Sequence, residues 1–297
     1  TELVQNGNFS ELGSDLILNG DFAEVGSDLI TNGDFATDSN WTLGTGWSIG
    51  ENKAVAVSGT ASKLQQTNPS LNGKSCKVTF TLSNYGGAGV LIVDFGSTSS
   101  SDIDADGTHI RYGTYDQNYF QLYKSSTFSG DVTNVIVQED GQDWTLGTGW
   151  SIGEDVAISD GSVGSITQSI LSADVFYKIR IKVTGNPTLL VFSSTSFYGD
   201  EAARTLKNGT HNYYLQAKVA AFSITNEGGD ACTITNISAE QLDPNDYWTL
   251  GTGWSIGADK AISTVTGSNS DITQSILTAG KTYRTVYEIV DYDAGTA

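Results

Sequence analysis

The decapeptide WTLGTGWSIG occupies residues 41–50 and recurs without a change at residues 144–153 and 248–257. The copies begin 103 and 104 residues apart, a spacing typical of one small domain and too long for one rung of a solenoid. All six tryptophans of the chain lie inside these copies. The spacing therefore predicts a tandem array of one folding unit. Repetition of a unit favours adhesion or scaffolding, which gain from effective concentration, over catalysis.

A shorter repeat precedes the first decapeptide: LVQNGNF (3–9), LILNGDF (16–22) and LITNGDF (29–35) follow at intervals of 13 residues. Asn-Gly between apolar stretches is a strong signal for a tight turn. We expect the third copy to supply the first strand of the domain that follows it. For the two earlier copies we favour an extended arm over residues 1–28 that pairs with a neighbour's sheet edge, the alternative being stacked rungs of a small β-structure. The apolar docking residues of such an arm would be Leu3, Val4, Phe9, Leu16, Ile17 and Phe22.

Internal comparison divides the rest of the chain into domain 1 (29–140), domain 2 (141–243) and an incomplete third repeat (244–297). Domains 1 and 2 align at an offset of 102 residues, under which GTH at 107–109 reappears at 209–211. Apolar and polar residues alternate in many short segments, and no segment shows a convincing helical period. The pattern therefore predicts an all-β protein of tandem jelly-roll β-sandwiches behind the N-terminal arm.

The third repeat contains the decapeptide and one predicted strand at Thr282–Val290, but nothing that matches the later half of the other two domains. Half a sandwich leaves an apolar face and unpaired sheet edges, so it should not fold alone. We expect that the 297 residues are part of a longer chain; completion of the last sheet by a partner is the alternative.

Composition limits the classes of function. With 34 acidic and 15 basic residues the net charge is −19, and no cluster of Lys or Arg offsets it, which argues against nucleic acid as a partner. No run of about 18 apolar residues predicts a membrane span, and the first ten residues lack the features of a signal peptide. Cys76 and Cys232 lie in phase with apolar strand residues and are predicted to be buried thiols. These features favour assembly in a cytoplasm.

No group of residues predicts catalysis. His109 and His211, the only histidines, have no metal-ligand residues at close spacing and are predicted to be structural. No nucleophile or phosphate-binding motif is present. The tryptophans could stack on sugars, but we favour a place in the core, since each would bury a large apolar area there. We therefore expect a protein that is not an enzyme.

One face of domain 1 is the best candidate for contact with a glycan or a protein. Alternation within residues 119–123 points the two apolar residues inward and the others outward. The candidate face comprises Tyr112, Tyr115, Tyr119, Gln121 and Tyr123. At the offset of 102, domain 2 carries Ala221, Ser223 and Thr225 in place of the last three. The face is therefore specific to domain 1 or is a protein interface, and we favour the interface.

Several motifs together resemble the carbohydrate-binding module family 4/9 group, within the galactose-binding-like jelly rolls. They are LITNGDF (29–35), the tryptophan step, SITQSI (165–170), DITQSILTAGKTY (271–283) and the closing TNVIV and TNISAEQL. The resemblance covers residues 30–297 and implies jelly-roll domains. Modules of this group occur in polysaccharide-degrading enzymes and are similar to domains along bacteriophage tail fibres, head fibres and other virion proteins. Tandem NGDF copies in front of such a domain favour the phage setting.

The resemblance implies a structural virion protein, such as a head-fibre, capsid-decoration or tail-fibre component assembled in the host cytoplasm. The arm would dock non-covalently to a capsid or tail protein or to sister chains, and a homo-oligomer, by analogy a trimer, is expected. The alternative is a carbohydrate-binding module array that anchors a longer enzyme or adhesin to a polysaccharide. The group often holds a structural calcium ion near its first and last strands, where Asp34, Glu139 and Asp140 would be the oxygen donors. No other cofactor is expected.

Overall fold

A computed structural model describes residues 2–264 and 269–291. Within these ranges the chain forms mainly short antiparallel strands, together with a 3-10 turn at Pro69–Leu71 and one helical turn at Glu201–Arg204. The predicted all-β fold class is confirmed. None of the described helical segments has the length and apolar character needed to cross a membrane.

The strands repeat in the same order in both domains. Two short strands come first, β1 (Leu12–Asp15) and β2 (Val25–Asp28). Domain 1 contains β3 (Thr42–Leu43), β4 (Trp47–Gly50), β5 (Lys53–Ala56), β6 (Ser62–Thr67), β7 (Ser75–Ser83), β8 (Leu91–Asp94), β9 (Gly107–Thr114), β10 (Tyr119–Lys124) and β11 (Gly130–Asp140). Domain 2 contains β12 (Thr145–Leu146), β13 (Trp150–Gly153), β14 (Val156–Ser159), β15 (Gly164–Ser169), β16 (Phe176–Gly185), β17 (Leu190–Phe192), β18 (Gly209–Gln216), β19 (Ala221–Asn226) and β20 (Cys232–Leu242). The third repeat contains β21 (Thr249–Leu250), β22 (Trp254–Gly257), β23 (Lys260–Ser263) and β24 (Ile272–Thr273).

Each domain is a β-sandwich built from a long and a short antiparallel sheet. In domain 1 the strand orders are β4-β5-β11-β7-β9 and β3-β6-β10-β8, and in domain 2 they are β13-β14-β20-β16-β18 and β12-β15-β19-β17. Apolar side chains from both sheets form one buried core per domain. The offset of 102 residues is exact over the last three strands, since β9, β10 and β11 match β18, β19 and β20 residue for residue.

The decapeptide carries the chain from the short sheet to the long one. Its first residues pair in the short sheet as β3 and its last residues pair in the long sheet as β4. The turn between them closes where the amide of Trp47 donates to the carbonyl of Gly44 at 3.1 Å. A Cβ at Gly44 would lie 2.6 Å from the Lys63 carbonyl oxygen, and Gly46 has φ of +82°, so both positions require glycine. The decapeptide therefore contains a tight structural turn between the two sheets.

The three heptapeptides 3–9, 16–22 and 29–35, called the NGDF segments below, share one local structure. In each, the Phe amide donates to the Asn carbonyl oxygen three residues earlier, at 3.0 to 3.2 Å. The Asn and the Phe of each segment adopt positive φ, between 47° and 60°. Asn tolerates this region because its short polar side chain bonds to the local backbone. The segments therefore form the tight turns that the sequence predicts.

Each NGDF segment is recognised by one tryptophan and one glutamine. The indole N–H of the first tryptophan of a decapeptide donates to the Asn carbonyl at 3.0 Å: Trp41 to Asn32, Trp144 to Asn19 and Trp248 to Asn6. A glutamine amide forms two hydrogen bonds with the backbone of the preceding residue: Gln66 with Thr31, Gln168 with Leu18 and Gln274 with Gln5. The Phe rings lie 5.0 to 5.4 Å from the same tryptophans. The order of the segments along the chain is therefore the reverse of the order of the decapeptides: the first segment binds the third decapeptide, the second binds the second, and the third binds the first.

The prediction of an extended arm over residues 1–28 is wrong, because these residues are parts of folded units. The second NGDF segment belongs to domain 2, where Ile17 and Phe22 enter the core and β1 pairs with β20. The third segment belongs to domain 1, where Ile30 and Phe35 enter the core. It does not form the first strand as predicted: the strand that pairs with β11 is β2, which lies just before the segment. The physical reason is burial: each domain core contains a place for one Phe and one Ile that its own downstream sequence does not fill.

The last strand of each domain closes over its NGDF segment at a β-bulge. In domain 1 the amide of Val135 donates to the Gly33 carbonyl at 2.9 Å, and the amide of Val137 donates to Asp28 Oδ1 at 3.0 Å. The corresponding bonds in domain 2 run from Ile237 to Gly20 and from Ala239 to Asp15. A Cβ on either glycine would collide with the carbonyl oxygen of the opposing bulge residue, so no other residue type fits.

Residues 2–11 and 243–291 form a separate unit, called the terminal unit below. It contains the first NGDF segment and two two-stranded sheets, β21-β24 and β22-β23. The strand predicted at 282–290 is wrong: the segment is not part of a sheet. Its counterpart in domain 2, β16, pairs with β18 and β20, and the described residues of the terminal unit include no equivalent of either. A strand without neighbours lacks the ladder bonds that would stabilise it.

Candidate interaction site

The tryptophans are structural residues. Trp41, Trp47, Trp144 and Trp150 expose 8% of their surface or less. The first tryptophan of each decapeptide holds an NGDF segment, and Trp150 donates to the carbonyl of Gly164 at 3.0 Å. The core interpretation is confirmed for these four, and their ring faces are not presented to solvent as a sugar platform.

The histidines and cysteines are also part of the framework. His109 and His211 hold equivalent places in β9 and β18, and each ring Nε2 lies within 2.9 Å of a backbone carbonyl oxygen three or four residues earlier. Cys76 and Cys232 are buried free thiols, as predicted. Burial raises the pKa of the Cys76 thiol to about 12 and that of the Cys232 thiol to about 11. Thiols with such pKa values are poor nucleophiles.

The three carboxylates considered for calcium have separate surroundings. Asp34 Oδ1 accepts from the amide of Ala36 at 3.3 Å, and Glu139 forms an ion pair with Lys74. Asp140 is almost fully buried, and burial raises the pKa of its carboxyl to about 6. Nowhere in residues 2–264 and 269–291 do three His, Cys, Asp or Glu side chains gather into a group that could hold a metal ion. The structure does not bring these donors together.

Three of the five residues predicted to form an interaction face, Tyr119, Gln121 and Tyr123, lie on β10. Phe120 and Leu122 are fully buried in the domain 1 core, as predicted. Tyr119, Gln121 and Tyr123 therefore point to the other side of the sheet, and both tyrosines are half-buried there. Because β10 lies between β6 and β8, side chains of both neighbours share this surface.

Cross-strand register completes the surface, which we call the tyrosine face. On β6, Gln65 lies opposite Gln121 and Lys63 opposite Tyr123; on β8, Asp94 lies opposite Gln121. The tyrosine face therefore comprises Lys63, Gln65, Asp94, Tyr119, Gln121 and Tyr123, with Ile92 opposite Tyr123 and Thr67 opposite Tyr119 at its edges. Sequence reasoning missed the first three because a single strand does not reveal which strands lie beside it. The alternation within 62–67 could have indicated which β6 side chains point outward, but not their neighbours.

Asp94 organises the polar groups of the tyrosine face. Its carboxylate accepts hydrogen bonds from Gln121 Nε2 and from the amide of Gly96, the latter at 2.9 Å, and Lys63 Nζ lies 3.5 Å away. Gln121 is 1% exposed, and its Oε1 has no hydrogen-bond partner in the described part of the chain. A buried acceptor without a partner costs about 1–3 kcal/mol. Because this oxygen is enclosed by the residues around it, it is not open to a ligand that approaches the face.

The same surface extends into an open polar depression. Thr67 lies opposite Tyr119, and Thr42 opposite Gln65. The depression is lined by Thr31, Asn40, Trp41, Thr42, Gln66 and Thr67. Hydroxyl and amide groups beside half-buried tyrosines are suited to contacts with polar partners, whether sugar hydroxyls or protein backbone.

Two residues of the predicted face lie elsewhere. Tyr115 is fully buried, with its ring 4.9 Å from that of Phe95. Tyr112 is on β9, in the other sheet, where a Cβ on Gly153 of domain 2 would lie 3.0 Å from its side chain. Both predictions are wrong because residues close in sequence are separated when the chain crosses between sheets. Tyr112 instead helps to join the two domains, where Ser75 Oγ also donates to the Ile152 carbonyl at 3.1 Å.

The face does not recur in domain 2. At the positions of Tyr119, Gln121 and Tyr123, β19 carries Ala221, Ser223 and Thr225, as the offset predicts. Thr225 forms a hydroxyl–hydroxyl hydrogen bond with Ser165 of β15 at 2.9 Å. The polar and aromatic surface is therefore specific to domain 1.

The proposed docking residues of the arm are divided between two units. In domain 2, Ile17 and Phe22 are buried and Leu16 packs against the core. In the terminal unit, Leu3 is 44% exposed, Val4 is half-buried and the Phe9 ring packs on Trp248. Only Leu3 offers the exposed apolar side chain that docking to a foreign sheet edge would require.

Comparison with known proteins assigns no family. No protein-family model matches the chain. No curated protein matches it. Among solved structures, the chain is similar to the ANX1 ectodomain from Arabidopsis thaliana, at 7% identity and a TM-score of 0.23, over 64% of this chain and 83% of that one. A score this low supports no assignment of fold or function.

Proposed function

We propose that the chain is a non-enzymatic structural protein of a virion, a head-fibre, capsid-decoration or tail-fibre component that displays β-sandwich domains. One observation carries the proposal: the repeated elements bind to one another. The decapeptide, the glutamine and the NGDF segment of each copy contact each other within the chain. The contacts that recur are structural ones, which attach an NGDF segment to its domain. The exposed polar surface of domain 1 does not recur with them. This is the pattern of a scaffold that carries one specialised face.

Support for the virion setting comes from the sequence. The NGDF and decapeptide motifs resemble modules found along phage fibres, and the β-sandwich architecture agrees with that resemblance. The manner of attachment differs from the arm hypothesis, since the second and third NGDF segments are inside domains 2 and 1. Contact with a capsid, tail or sister chain is therefore assigned to folded surfaces, of which the tyrosine face is the best equipped.

The test is whether the chain is a component of particles. Particles from the source of the chain would be purified on a density gradient, analysed by mass spectrometry and labelled with gold-coupled antibody against the purified protein. The proposal expects the chain to remain with the particle fraction at a fixed number of copies and the label to lie at regular positions on the particle. Absence from gradient-purified particles would refute it.

Glycan binding by domain 1 is the second candidate, and the half-buried Tyr119 and Tyr123 beside the polar depression favour it. Sugar hydroxyls would bond to the polar side chains that line the depression while sugar C–H groups pack on a tyrosine ring. Binding to a glycan array, abolished in the Tyr119→Ala/Tyr123→Ala double variant, would support it. The matched control is Ala221→Ser on the equivalent face of domain 2, which should leave the signal unchanged.

A further inference from the structure

Three of the 15 basic residues lie in a row on the outer face of domain 2. The odd-numbered residues of β16 between 177 and 183 are buried in the core, so Lys178, Arg180 and Lys182 point to the opposite side of the sheet. They are the only basic residues of the chain at three alternate positions. We call this row the basic stripe; its successive residues are about 6.7 Å apart. The stripe is too small to offset a net charge of −19, but it is a local exception to that charge.

The positive charges of Arg180 and Lys182 have no acidic partner. Both side chains are exposed, and neither forms an ion pair or a side-chain hydrogen bond within residues 2–264 and 269–291. The residues directly opposite them on the neighbouring strands are uncharged: Thr210, Asn212, Thr235 and Ser238. Lys178 differs, since Glu240 lies opposite it. An exposed guanidinium and an exposed ammonium two positions apart, with no acid beside them, are suited to bind a pair of carboxylates.

Domain 1 presents a row of carboxylates with the same spacing. Asp102, Asp104 and Asp106 are exposed and are the only acidic residues of the chain at three alternate positions. Ile103 is buried; its amide donates to the Leu91 carbonyl at 2.9 Å, and the Leu91 amide donates to the Ile103 carbonyl at 3.0 Å. This anchor holds Asp102 and Asp104 on the outward side of an extended segment. We call residues 102–106 the acidic run.

The carboxylates of the acidic run have no basic partner either. In the part of the chain that the structure describes, they form no ion pair, and only that of Asp106 accepts a hydrogen bond, from the amide of Tyr85 at 2.8 Å. Arg111 donates to the backbone carbonyl of Asp102, at 3.5 Å, and not to its carboxylate. The acidic run and the basic stripe lie in different domains, and no ion pair joins them within these residues. Each is therefore open to a partner of opposite charge from outside the molecule.

The spacing of the two rows matches. Asp102 and Asp104, like Arg180 and Lys182, are separated by one residue of extended chain, so two carboxylates can face two cations at once. Such a paired contact fixes the register, since a shift along either row removes an ion pair. At physiological ionic strength the screening length is about 8 Å, so the local attraction acts at contact while the longer-range repulsion between two negative chains is largely screened.

We propose that the basic stripe of domain 2 binds the acidic run of domain 1 in a second copy of the chain. The two rows lie on different domains, so the contact is heterologous, and a pair of copies retains one free stripe and one free run. Further copies add in the same way until the array closes as a ring or continues as a filament. The contact uses no residue of the tyrosine face, and it does not depend on the virion setting.

Sedimentation velocity of the full chain, over concentrations up to about 1 mM at about 0.15 M salt, tests the contact. The wild-type chain should form species larger than a monomer as the concentration rises. Salt at about 1 M should disperse them, because the screening length falls to about 3 Å. Arg180→Glu/Lys182→Glu and Asp102→Lys/Asp104→Lys should each weaken association by about tenfold or more, since each variant places like charges opposite one another.

Mixing the two reversed variants tests whether the partner is a second copy. Each variant alone has two rows of the same sign, whereas every contact between the two unlike variants joins rows of opposite sign. The equimolar mixture should therefore recover the association of the wild-type chain, and so should a single chain that carries all four substitutions. All four side chains are exposed, so the substitutions leave the cores intact. A contact with any partner other than a second copy predicts no such recovery.

A matched control changes the net charge by the same amount elsewhere. Glu24 and Asp38 are exposed, and among the described residues their carboxylates have no hydrogen-bond or ion-pair partner. Glu24→Lys/Asp38→Lys should therefore not weaken association. The proposal is overturned if the wild-type chain stays monomeric at about 1 mM, if either reversal leaves association unchanged, or if the mixture stays monomeric. It is also overturned if polygalacturonate binds the monomeric chain and Arg180→Glu/Lys182→Glu abolishes that binding, which would assign the stripe to an anionic polysaccharide.

Discussion

Phe22 and Phe35 lie 13 residues apart in the sequence, yet the structure predicts that they stabilise different domains. Phe22 is fully buried against Trp144 and Phe35 is 1% exposed against Trp41. Truncating a buried Phe to Ala costs about 3–5 kcal/mol, and a domain is typically stabilised by about 5–15 kcal/mol in total. Phe22→Ala should therefore remove a large part of the stability of domain 2 and leave domain 1 nearly unchanged. Phe35→Ala should do the reverse.

Hydrogen exchange followed by mass spectrometry resolves the two domains. In Phe22→Ala, amide protection should fall in β16 and β20 and persist in β7 and β11; in Phe35→Ala, it should fall in β7 and β11. The control is Leu18→Ala in the same NGDF segment, because this side chain is 55% exposed and only its backbone is bonded to Gln168. If Phe22→Ala loosens β7 and β11 more than β16 and β20, the reverse assignment of the segments is refuted.

Three further predictions concern single residues. Gly20→Ala should destabilise domain 2 by about 1–3 kcal/mol in denaturant titration, because its Cβ meets the Ile237 carbonyl; a change within error would contradict this close approach. Burial raises the pKa of Asp140 from 3.8 to about 6, so the folded state binds more protons and stability should fall as pH rises from about 4 to 6. Asp140→Asn should flatten that dependence and raise the free energy of unfolding at pH 7 by at most about 3 kcal/mol; an unchanged profile would exclude the mechanism. Cys76 and Cys232, buried with raised pKa values, should react with a thiol reagent only on unfolding, and rapid labelling of the native protein would contradict their burial.

The local patterns of the sequence predicted the local structure. The two-residue alternation of Phe120 and Leu122 located the core face of β10, and the offset of 102 located the equivalent strand in domain 2. The Asn-Gly steps of the NGDF segments predicted the tight turns that the structure contains. These successes depend on interactions within a few residues or on copies of the same sequence.

The sequence patterns did not predict contacts between residues that are far apart in the chain. Trp248 bonds to Asn6 across 242 residues, and three similar NGDF segments offer no signal for which domain each one enters. The strand expected at 282–290 has the right alternation, but a strand also needs neighbours to bond with. Tyr112 and Tyr115 were placed on the wrong surface because sequence proximity does not reveal a crossing between sheets.

The reverse order of the NGDF segments also determines how the chain would bear a pulling force. Residues 2–11 and 243–291 belong to the same unit, so tension between them loads that unit first. With β1 included, domain 2 extends from Leu12 to Leu242, two residues that lie opposite each other in the β1–β20 pair. Because β1 and β20 are antiparallel, a force applied at these two residues would break the hydrogen bonds between the strands one after another. Only then would β2 and β11 of domain 1 be loaded. In a single-molecule force-extension experiment we therefore expect the terminal unit to unfold first, domain 2 second and domain 1 last. A trace in which domain 1 unfolds before domain 2 would contradict this.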